Sequence, residues 1–190
     1  MGNSSSSSNG GSKQKTGKDW QSKVYFDPHA DQEGPRHEIS KDDLEAVAGL
    51  PFTDYDQVRD IIQESEVIER IWAYKCPLFS FQMTQALLYH EFIVIRTNQW
   101  WWSIEKNTQG ITVQRGMELA SVKDHYRRGN RNTPIEEMAV DNARQNREMR
   151  DVLEWFFFEN QLNQDYHWIK DNCQVFGNKL FNEFAANRRL

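Results

Sequence analysis

A cysteine at the start of a predicted helix is the residue of this sequence best suited to nucleophilic chemistry. Cys173 follows Asn172, a good N-cap residue, and a helical pattern continues from there toward the C-terminus. The positive end of a helix and its unpaired N–H groups lower the pKa of a cysteine and favour the thiolate. The N–H groups of Cys173 and Gln174 are also placed to bind an oxyanion formed on an attacked carbonyl. The sequence therefore predicts a thiolate nucleophile at Cys173.

A thiol of this kind needs a base, and His90 is the best candidate. It lies in an apolar, β-branched run, 87–96, that predicts a central strand. Because side chains alternate along a strand, His90 shares its face with Phe92 and Val94 and points toward packed structure. Such sites place the histidine within hydrogen-bond distance of the sulfur.

A third polar group should orient the imidazole, and the next strand supplies candidates. If Asn98 and Gln99 form a two-residue turn, Phe92 pairs with Glu105, and Glu105 lies diagonal to His90. On this register Glu105 is the preferred orienting residue. Three other polar residues remain alternatives: Ser103, Asn107 and Gln114.

Other thiols and imidazoles fit this chemistry less well. Cys76 precedes Pro77, which offers no N–H donor, and no helix follows it. His125 follows the sheet in a charged segment, and His167 lies only six residues before the predicted nucleophile. A lone buried cysteine is commonly structural. The hypothesis therefore depends on the nucleophile and the base meeting in the fold.

The elements that position these residues predict an α+β fold, with an antiparallel sheet packed against helices. Three strands in succession, at 87–96, 100–105 and 111–115, predict a meander. Phe176, Leu180 and Phe184 recur at four-residue spacing on the last helix, on the same side as Cys173. Five helices are predicted. The first is capped by Ser40 and ended by Gly49-Leu50-Pro51, and the second lies near 55–70, with Ile68 and Ile71 in its apolar stripe. The third runs from Thr133 to about 147, the fourth runs from Met149 to Leu162, and the fifth is the C-terminal helix.

The combination resembles the circularly permuted papain-like group, which includes the NlpC-like hydrolases and the lecithin–retinol acyltransferase-like enzymes. Two short motifs carry the resemblance: Tyr89-His90-Glu91-Phe92-Ile93-Val94 at a strand and Asn172-Cys173-Gln174-Val175-Phe176 at a helix start. The order of histidine before cysteine is the permuted one, and the resemblance covers 87–190 in outline. It implies Cys173 as nucleophile, His90 as base and a third polar group near 103–107. Acyltransferase-like members carry a second histidine on the next strand, where this chain has Trp100-Trp101-Trp102.

The N-terminus fits a signal for lipid attachment. Met1-Gly2-Asn3-Ser4-Ser5-Ser6 matches the M-G-x-x-x-[ST] pattern for myristoylation of Gly2. One myristoyl chain binds membranes marginally and needs a second signal. Four lysines supply it: Lys13, Lys15, Lys18 and Lys23. We expect 1–36 to be a disordered tail and linker, 37–190 to be one domain, and the protein to dock on the cytoplasmic face of a membrane.

Composition excludes several other classes of protein. The net charge of −5 argues against a nucleic-acid binder, which needs a concentrated basic face. No apolar run approaches the roughly 20 residues of a membrane span, and no secretory signal is present. Neither a phosphate-binding glycine loop nor a metal-ligand spacing occurs, so the sequence predicts no cofactor and no metal.

Two functions fit these observations. The first is a membrane-anchored cysteine hydrolase or acyltransferase that attacks an amide, ester or thioester through Cys173 and His90. The second is a non-catalytic membrane-tethered adaptor that binds a protein partner through the tryptophan row at 100–102 and the aromatic cluster at 155–158. The aromatic cluster is expected to be mainly core, and the basic segment 127–131 to be a solvated loop rather than a phosphate or headgroup site.

Overall fold

Nine strands lie within residues 19–43, 66–78, 89–167 and 171–189, which the computed structural model describes. Seven form the main sheet: β1 (Lys23–Asp27), β2 (His37–Ser40), β3 (Ile68–Pro77), β4 (Tyr89–Thr97), β5 (Trp101–Lys106), β6 (Ile111–Gly116) and β9 (Glu136–Asn142). Their order is β2-β1-β6-β5-β4-β3-β9, and every neighbouring pair is antiparallel except β1 and β6. The remaining two, β7 (His125–Tyr126) and β8 (Gly129–Asn130), form a separate hairpin.

Helices cover both faces of the main sheet. The described helices are α1 (Leu119–Lys123), α2 (Met149–Phe158) and α3 (Cys173–Phe184), with a 3₁₀ turn at Gln161–Asn163. The larger core lies between the sheet and α2 and α3, where Phe156, Phe176 and Leu180 pack on Ile93 and Ile104. A smaller core on the opposite face joins Phe92 and Val94 to Val122 of α1. The sheet is therefore buried on both sides near β4 and β5.

The predicted α+β class and the antiparallel meander are confirmed, and so is the register at its first turn. Ile93 pairs with Ile104 and Arg96 with Trp101, which leaves Asn98 and Gln99 as the two-residue turn. Extension of that register places Phe92 opposite Glu105. The C-terminal helix also begins at the predicted residue, with Asn172 as its cap.

The folded region begins earlier than predicted, so the boundary at residue 36 was wrong. β1 joins the sheet by parallel pairing with β6, and its Val24 and Phe26 are fully buried. Trp20 packs against the larger core. Lys23 therefore belongs to a strand, where its ammonium pairs with Glu38 at 2.7 Å, and not to a basic tail. Gly2 and the other three lysines lie outside the described residues.

Three predicted helices needed correction. The helix predicted near 55–70 was wrong at its C-terminal end, because Ile68 begins strand β3, which pairs with β4. The helix from Thr133 to about 147 was wrong, since Glu136–Asn142 forms edge strand β9 against β3. The helix at Met149 ends at Phe158 rather than Leu162, and Asn160 follows in the left-handed region at φ 55°. Tertiary pairing overrode local propensity in the first two cases.

The helix predicted after Ser40 has its start within the described residues. The Ser40 backbone N–H donates to Asp43 Oδ2 at 2.9 Å, and the Asp43 N–H donates back to Ser40 Oγ at 3.2 Å. This reciprocal arrangement is a capping box. The rest of this helix, and most of the one near 55–70, lie outside the described residues. None of the helices described is both long and apolar enough to cross a bilayer.

Candidate active site

The nucleophile predicted from the sequence lies where the N-terminus of α3 meets the start of β4. Cys173 is the first residue of the helix, and Asn172 Oδ1 accepts the N–H groups of Gln174 and Val175, both at 3.0 Å. The residue as a whole is 2% exposed. It lies 3.8 Å from the Tyr89 carbonyl oxygen and accepts the backbone N–H of Glu91. The cap and the strand start together fix the position of the sulfur.

His90 and Cys173 are side-chain hydrogen-bond partners. On the other side of the ring, Nε2 of His90 lies 2.5 Å from Oε2 of Glu105. With Nε2 on the carboxylate, Nδ1 is the ring nitrogen left to bond the sulfur. The structure thus brings His90 and Glu105, which precede Cys173 by 83 and 68 residues, into one line of contacts with it.

Glu105 is held in turn by Arg131. The guanidinium makes two hydrogen bonds to the carboxylate, Nη1 to Oε2 at 3.0 Å and Nη2 to Oε1 at 2.5 Å. The same guanidinium lies 3.9 Å from the centre of the Phe92 ring. Hairpin β7–β8 supplies this arginine, and the two residues of its turn, Arg127 and Arg128, both have positive φ. The segment predicted as a solvated loop is therefore a structured hairpin that ends in a buried ion pair.

The electrostatics of the site favour a thiolate beside an imidazolium. Burial raises the pKa of Cys173, but the hydrogen bond and charge of His90, the Glu91 N–H and the Tyr166 hydroxyl outweigh it, and the net pKa is lowered. Burial lowers the pKa of His90, while Cys173 and Glu105 raise it, to about 10 overall. Glu105 is kept ionised, because Arg131 and His90 outweigh its burial and hold its pKa at about 2.

A buried lysine anchors the segment that leads into the nucleophile. Lys106 is fully buried at the end of β5, and its ammonium binds Asp171 Oδ2 at 2.9 Å and the Gln164 carbonyl at 2.7 Å. The ring of Trp20 lies 4.8 Å from the ammonium, and its Nε1 donates to the Leu162 carbonyl. Because Asp171 directly precedes the helix cap, these contacts hold the entry to α3.

Glu91 fastens the first turns of α3 to β4. Its carboxylate accepts a hydrogen bond from Arg189 at 2.8 Å, and it lies against Gly177, where an added Cβ would come within 2.7 Å of Oε1. Burial is the main reason that the pKa of Glu91 is raised to about 6, despite the charge of Arg189. The same residue therefore donates its N–H to the sulfur and uses its side chain to hold the helix.

The competing candidates lie in less suitable places. Cys76 is directly opposite His90 in the β3–β4 pair, but burial raises its pKa to about 11. His125 Nδ1, in the hairpin, contacts the Ala120 carbonyl of α1, and the backbone of His167 pairs with that of Asp171. Among the alternative orienting residues, Ser103 and Gln114 bond to each other at 3.0 Å, and Asn107 donates to Thr112 and Tyr126.

The predicted oxyanion pair needs correction at Gln174. The N–H of Gln174 is taken by the Asn172 cap at 3.0 Å, and its side-chain amide donates to the Tyr89 carbonyl at 3.1 Å. The N–H of Cys173, at the first position of the helix, has no acceptor within the helix by geometry. The N–H of Cys173 as an oxyanion donor stays a prediction.

A cleft of about 270 Å³ opens beside His90 and Glu105. Its walls carry the amides of Asn107, Asn130 and Asn132, together with Cys76 and Arg131. A larger cleft of about 670 Å³ lies by Asp31, Glu118 and His125, and none of the residues predicted to be catalytic lines it. The smaller cleft therefore reaches His90 and Glu105, and its lining includes Cys76 but not Cys173.

The tryptophan row does not form an exposed surface. Trp102 is fully buried and donates to Glu66 at 2.8 Å. Trp101 packs on Trp72, with ring centres 5.3 Å apart, and Trp100 lies under the Arg115 guanidinium at 4.6 Å. In the second aromatic cluster Trp155 and Phe156 are core residues, and Phe158 is 70% exposed. The surface on which the adaptor hypothesis depended is largely covered.

Three residues of the site were missed from sequence: Arg131, Lys106 and Tyr166. Arg131 lies in a run of basic residues that resembles a solvated loop, and its partner is 26 residues away. Lys106 ends a strand as an ordinary surface lysine would, and nothing local marks it as buried. Tyr166, 4.0 Å from the sulfur, follows the 3₁₀ turn in a segment with no recognisable pattern.

Comparison of the chain with family models, with curated proteins and with solved structures finds no match. Its function is therefore inferred from the contacts among Cys173, His90 and Glu105.

Proposed function

We propose that this protein is a cysteine hydrolase or acyltransferase that acts on an amide, ester or thioester through Cys173, His90 and Glu105. The observation that carries the proposal is the chain of contacts in which a thiol at a helix N-terminus bonds a histidine, and the histidine bonds a carboxylate at 2.5 Å. Nucleophile, base and orienting group in hydrogen-bond contact are the geometric signature of covalent catalysis.

The reaction starts from the thiolate and the imidazolium. The Cys173 sulfur attacks the carbonyl carbon and forms a C–S bond, and the carbonyl oxygen becomes an oxyanion. When the intermediate collapses, the bond to the leaving group breaks and His90 gives that group its proton. Water or another acceptor then loses a proton to His90 and attacks the thioester, which releases the acyl group and restores the thiolate. Glu105 keeps the imidazole in place and stabilises its charged form throughout.

The permuted papain-like assignment belongs to the same proposal. An α+β domain with a histidine at the start of a sheet strand and a later cysteine at a helix start supports it. Glu105, on the strand after His90, occupies the place that the resemblance implies for the third polar group. The resemblance leaves open the carbonyl class and the acceptor, because a shared fold does not fix a substrate.

Labelling with an electrophilic thiol probe tests the proposal directly. We expect wild-type protein to label at neutral pH, and Cys173→Ser and His90→Ala to abolish or strongly reduce labelling while the fold is kept, as judged by circular dichroism. Cys76→Ser is the matched control, because it removes the other thiol, whose pKa is raised by burial. Labelling that survives in Cys173→Ser and disappears in Cys76→Ser would overturn the assignment.

We also propose that the protein is anchored to the cytoplasmic face of a membrane through myristoylated Gly2, with Lys13, Lys15 and Lys18 as the second signal. Lys23 is left out of this basic cluster because Glu38 neutralises it. An anchored enzyme meets lipid or membrane-protein carbonyls at high local concentration, which favours such substrates.

Mass spectrometry of the eukaryotically expressed protein should find the myristoyl mass on the N-terminal peptide. Gly2→Ala should remove it and release the protein from membranes. Replacement of the three lysines by glutamine should leave the lipid in place and make membrane binding weaker and less dependent on salt. An N-terminal peptide without the acyl mass in the wild-type protein contradicts the anchor and leaves the proposed chemistry unaffected.

A further inference from the structure

The oxyanion of the proposed reaction has one evident backbone donor, and a second should come from elsewhere. The N–H of Cys173 is available by helix geometry, whereas both the N–H and the side-chain amide of Gln174 already donate to Asn172 and Tyr89. Oxyanion sites gain most of their effect from donors that are fixed before the reaction begins. A buried, fixed donor beside the sulfur is therefore the feature to look for.

Tyr166 meets this description. Its hydroxyl donates to the Cys173 sulfur at 4.0 Å, and the residue is 9% exposed. Its neighbour His167 exchanges two backbone hydrogen bonds with Asp171, at 2.8 and 3.0 Å. Asp171 is itself held by the buried ammonium of Lys106. The backbone that follows Tyr166 is thus tied, through His167 and Asp171, to Lys106.

We infer that the Tyr166 hydroxyl is the second oxyanion donor of this site, an inference that rests on the proposed function. The oxyanion is attached to the carbon bonded directly to Sγ, so it forms within reach of a hydroxyl that already contacts Sγ. In the resting site this hydroxyl bonds the thiolate. As the C–S bond forms, negative charge leaves the sulfur for the carbonyl oxygen, and the same hydroxyl follows the charge with a small rotation about its C–O bond.

The hydroxyl keeps its proton throughout this step. Burial is the main cause that raises the pKa of Tyr166, and the neighbouring Cys173 raises it further. Tyr166 therefore acts as a neutral donor, and His90 carries all the proton transfer. The two roles are separable by experiment, because only one of them involves a tetrahedral oxyanion.

Two reagents distinguish an oxyanion donor from a residue that only holds the thiolate. Iodoacetamide alkylates sulfur by substitution at a saturated carbon and forms no oxyanion, whereas p-nitrophenyl acetate acylates it through a tetrahedral intermediate. In Tyr166→Phe we expect acylation by p-nitrophenyl acetate to fall about 10²–10³-fold, the range for loss of one oxyanion donor. The rate of alkylation by iodoacetamide should change much less, by a few-fold at most.

Tyr74→Phe is the matched control, since it removes a hydroxyl from another buried tyrosine, one that stacks on Phe92 in the smaller core. Both rates should stay close to wild type in it. If Tyr166→Phe slows both reactions equally, the hydroxyl serves the thiolate alone and the inference is overturned, as it is if neither rate changes. Acylation that persists in Cys173→Ser, or is absent from wild-type protein, overturns the proposed function instead.

Discussion

Arg131 and Glu105 form a two-pronged ion pair in which both side chains are only 2% exposed. Burial alone would raise the pKa of this carboxyl group, and the charge of Arg131 is the largest of the effects that lower it, with His90 next. The arginine therefore helps to keep the group that His90 faces in the carboxylate form. A residue that touches neither the sulfur nor the imidazole thus helps to set the charge of the group that orients the base.

Removal of this arginine should destabilise the fold. Arg131→Met should lower the free energy of unfolding by about 3–5 kcal/mol, because it leaves a buried carboxylate without its partner. Arg128→Met, on the same hairpin, should cost less, since its partner Asp27 still has Arg36 at 3.5 Å. Urea unfolding of both variants measures the difference. Equal losses would mean that the ion pair of Arg131 contributes no more to the free energy of unfolding than that of Arg128.

Acid should weaken the same contact. The pKa of Glu105 is about 2 in the folded protein, against about 4.3 for an ordinary glutamate. A lowered folded pKa means that the stabilisation is complete above about pH 4.3 and is lost as the pH falls toward 2. Glu105→Gln should therefore be less stable than wild type at pH 7, and the gap should narrow below pH 4. A gap that is constant from pH 7 to pH 2.5 would contradict this account.

Local signals were sufficient for the parts of the site that depend on neighbours in sequence. The two-residue turn at Asn98 and Gln99 set the register that places Glu105 diagonal to His90. Asn172 marked the start of α3, and four-residue spacing marked its buried face. Each of these features depends on a few consecutive residues, so the sequence carries it without knowledge of the fold.

Long-range pairing produced the errors. The start signal at Thr133–Glu136 is a good one, but the segment adds a strand to the free edge of β3 instead. Ile68 and Ile71 have helical spacing, yet the run around them is buried on β4. The parallel pairing of β1 with β6 and the partner of Arg131 depend on how distant elements meet, and no local pattern encodes either.

The pH dependence of Cys173 alkylation should reveal its partner. In wild-type protein the thiolate persists below the ordinary cysteine pKa of about 8.5, because His90 lowers the pKa of Cys173 against the effect of burial. His90→Ala removes that contribution and keeps the burial, so the midpoint of the rate profile with iodoacetamide should rise to the ordinary value or above it. Turnover, which needs both thiolate and imidazolium, should also decline as the pH approaches 10. An unchanged midpoint in His90→Ala would show that His90 does not lower the pKa of Cys173.

Lys106 should control the entry to the nucleophile helix. Lys106→Met keeps the length of the side chain under Trp20 but leaves Asp171 without its ammonium partner. We therefore expect the free energy of unfolding to fall by an amount on the order of 3 kcal/mol and the alkylation of Cys173 to become slower. Lys23→Met, which breaks the exposed pair with Glu38, should change neither quantity appreciably. Normal alkylation in a stable Lys106→Met protein would show that Asp171 does not position the thiol.

Gly177 should tolerate no side chain, although alanine is normally the better helix residue. In an open helix position Gly→Ala gains about 1 kcal/mol. At Gly177 the new Cβ would lie 2.7–2.9 Å from three atoms of Glu91, which Arg189 holds and which cannot swing away into solvent. We expect Gly177→Ala to lower the free energy of unfolding by about 1–3 kcal/mol through this overpacking and to slow Cys173 alkylation as α3 moves off β4.

Gly34→Ala, where nothing lies within 4 Å of the new atom, is the control and should be neutral in both measurements. Because the N–H of Glu91 donates to the sulfur, a stable Gly177→Ala protein with unaltered alkylation would show that the thiolate does not depend on how closely α3 packs against β4.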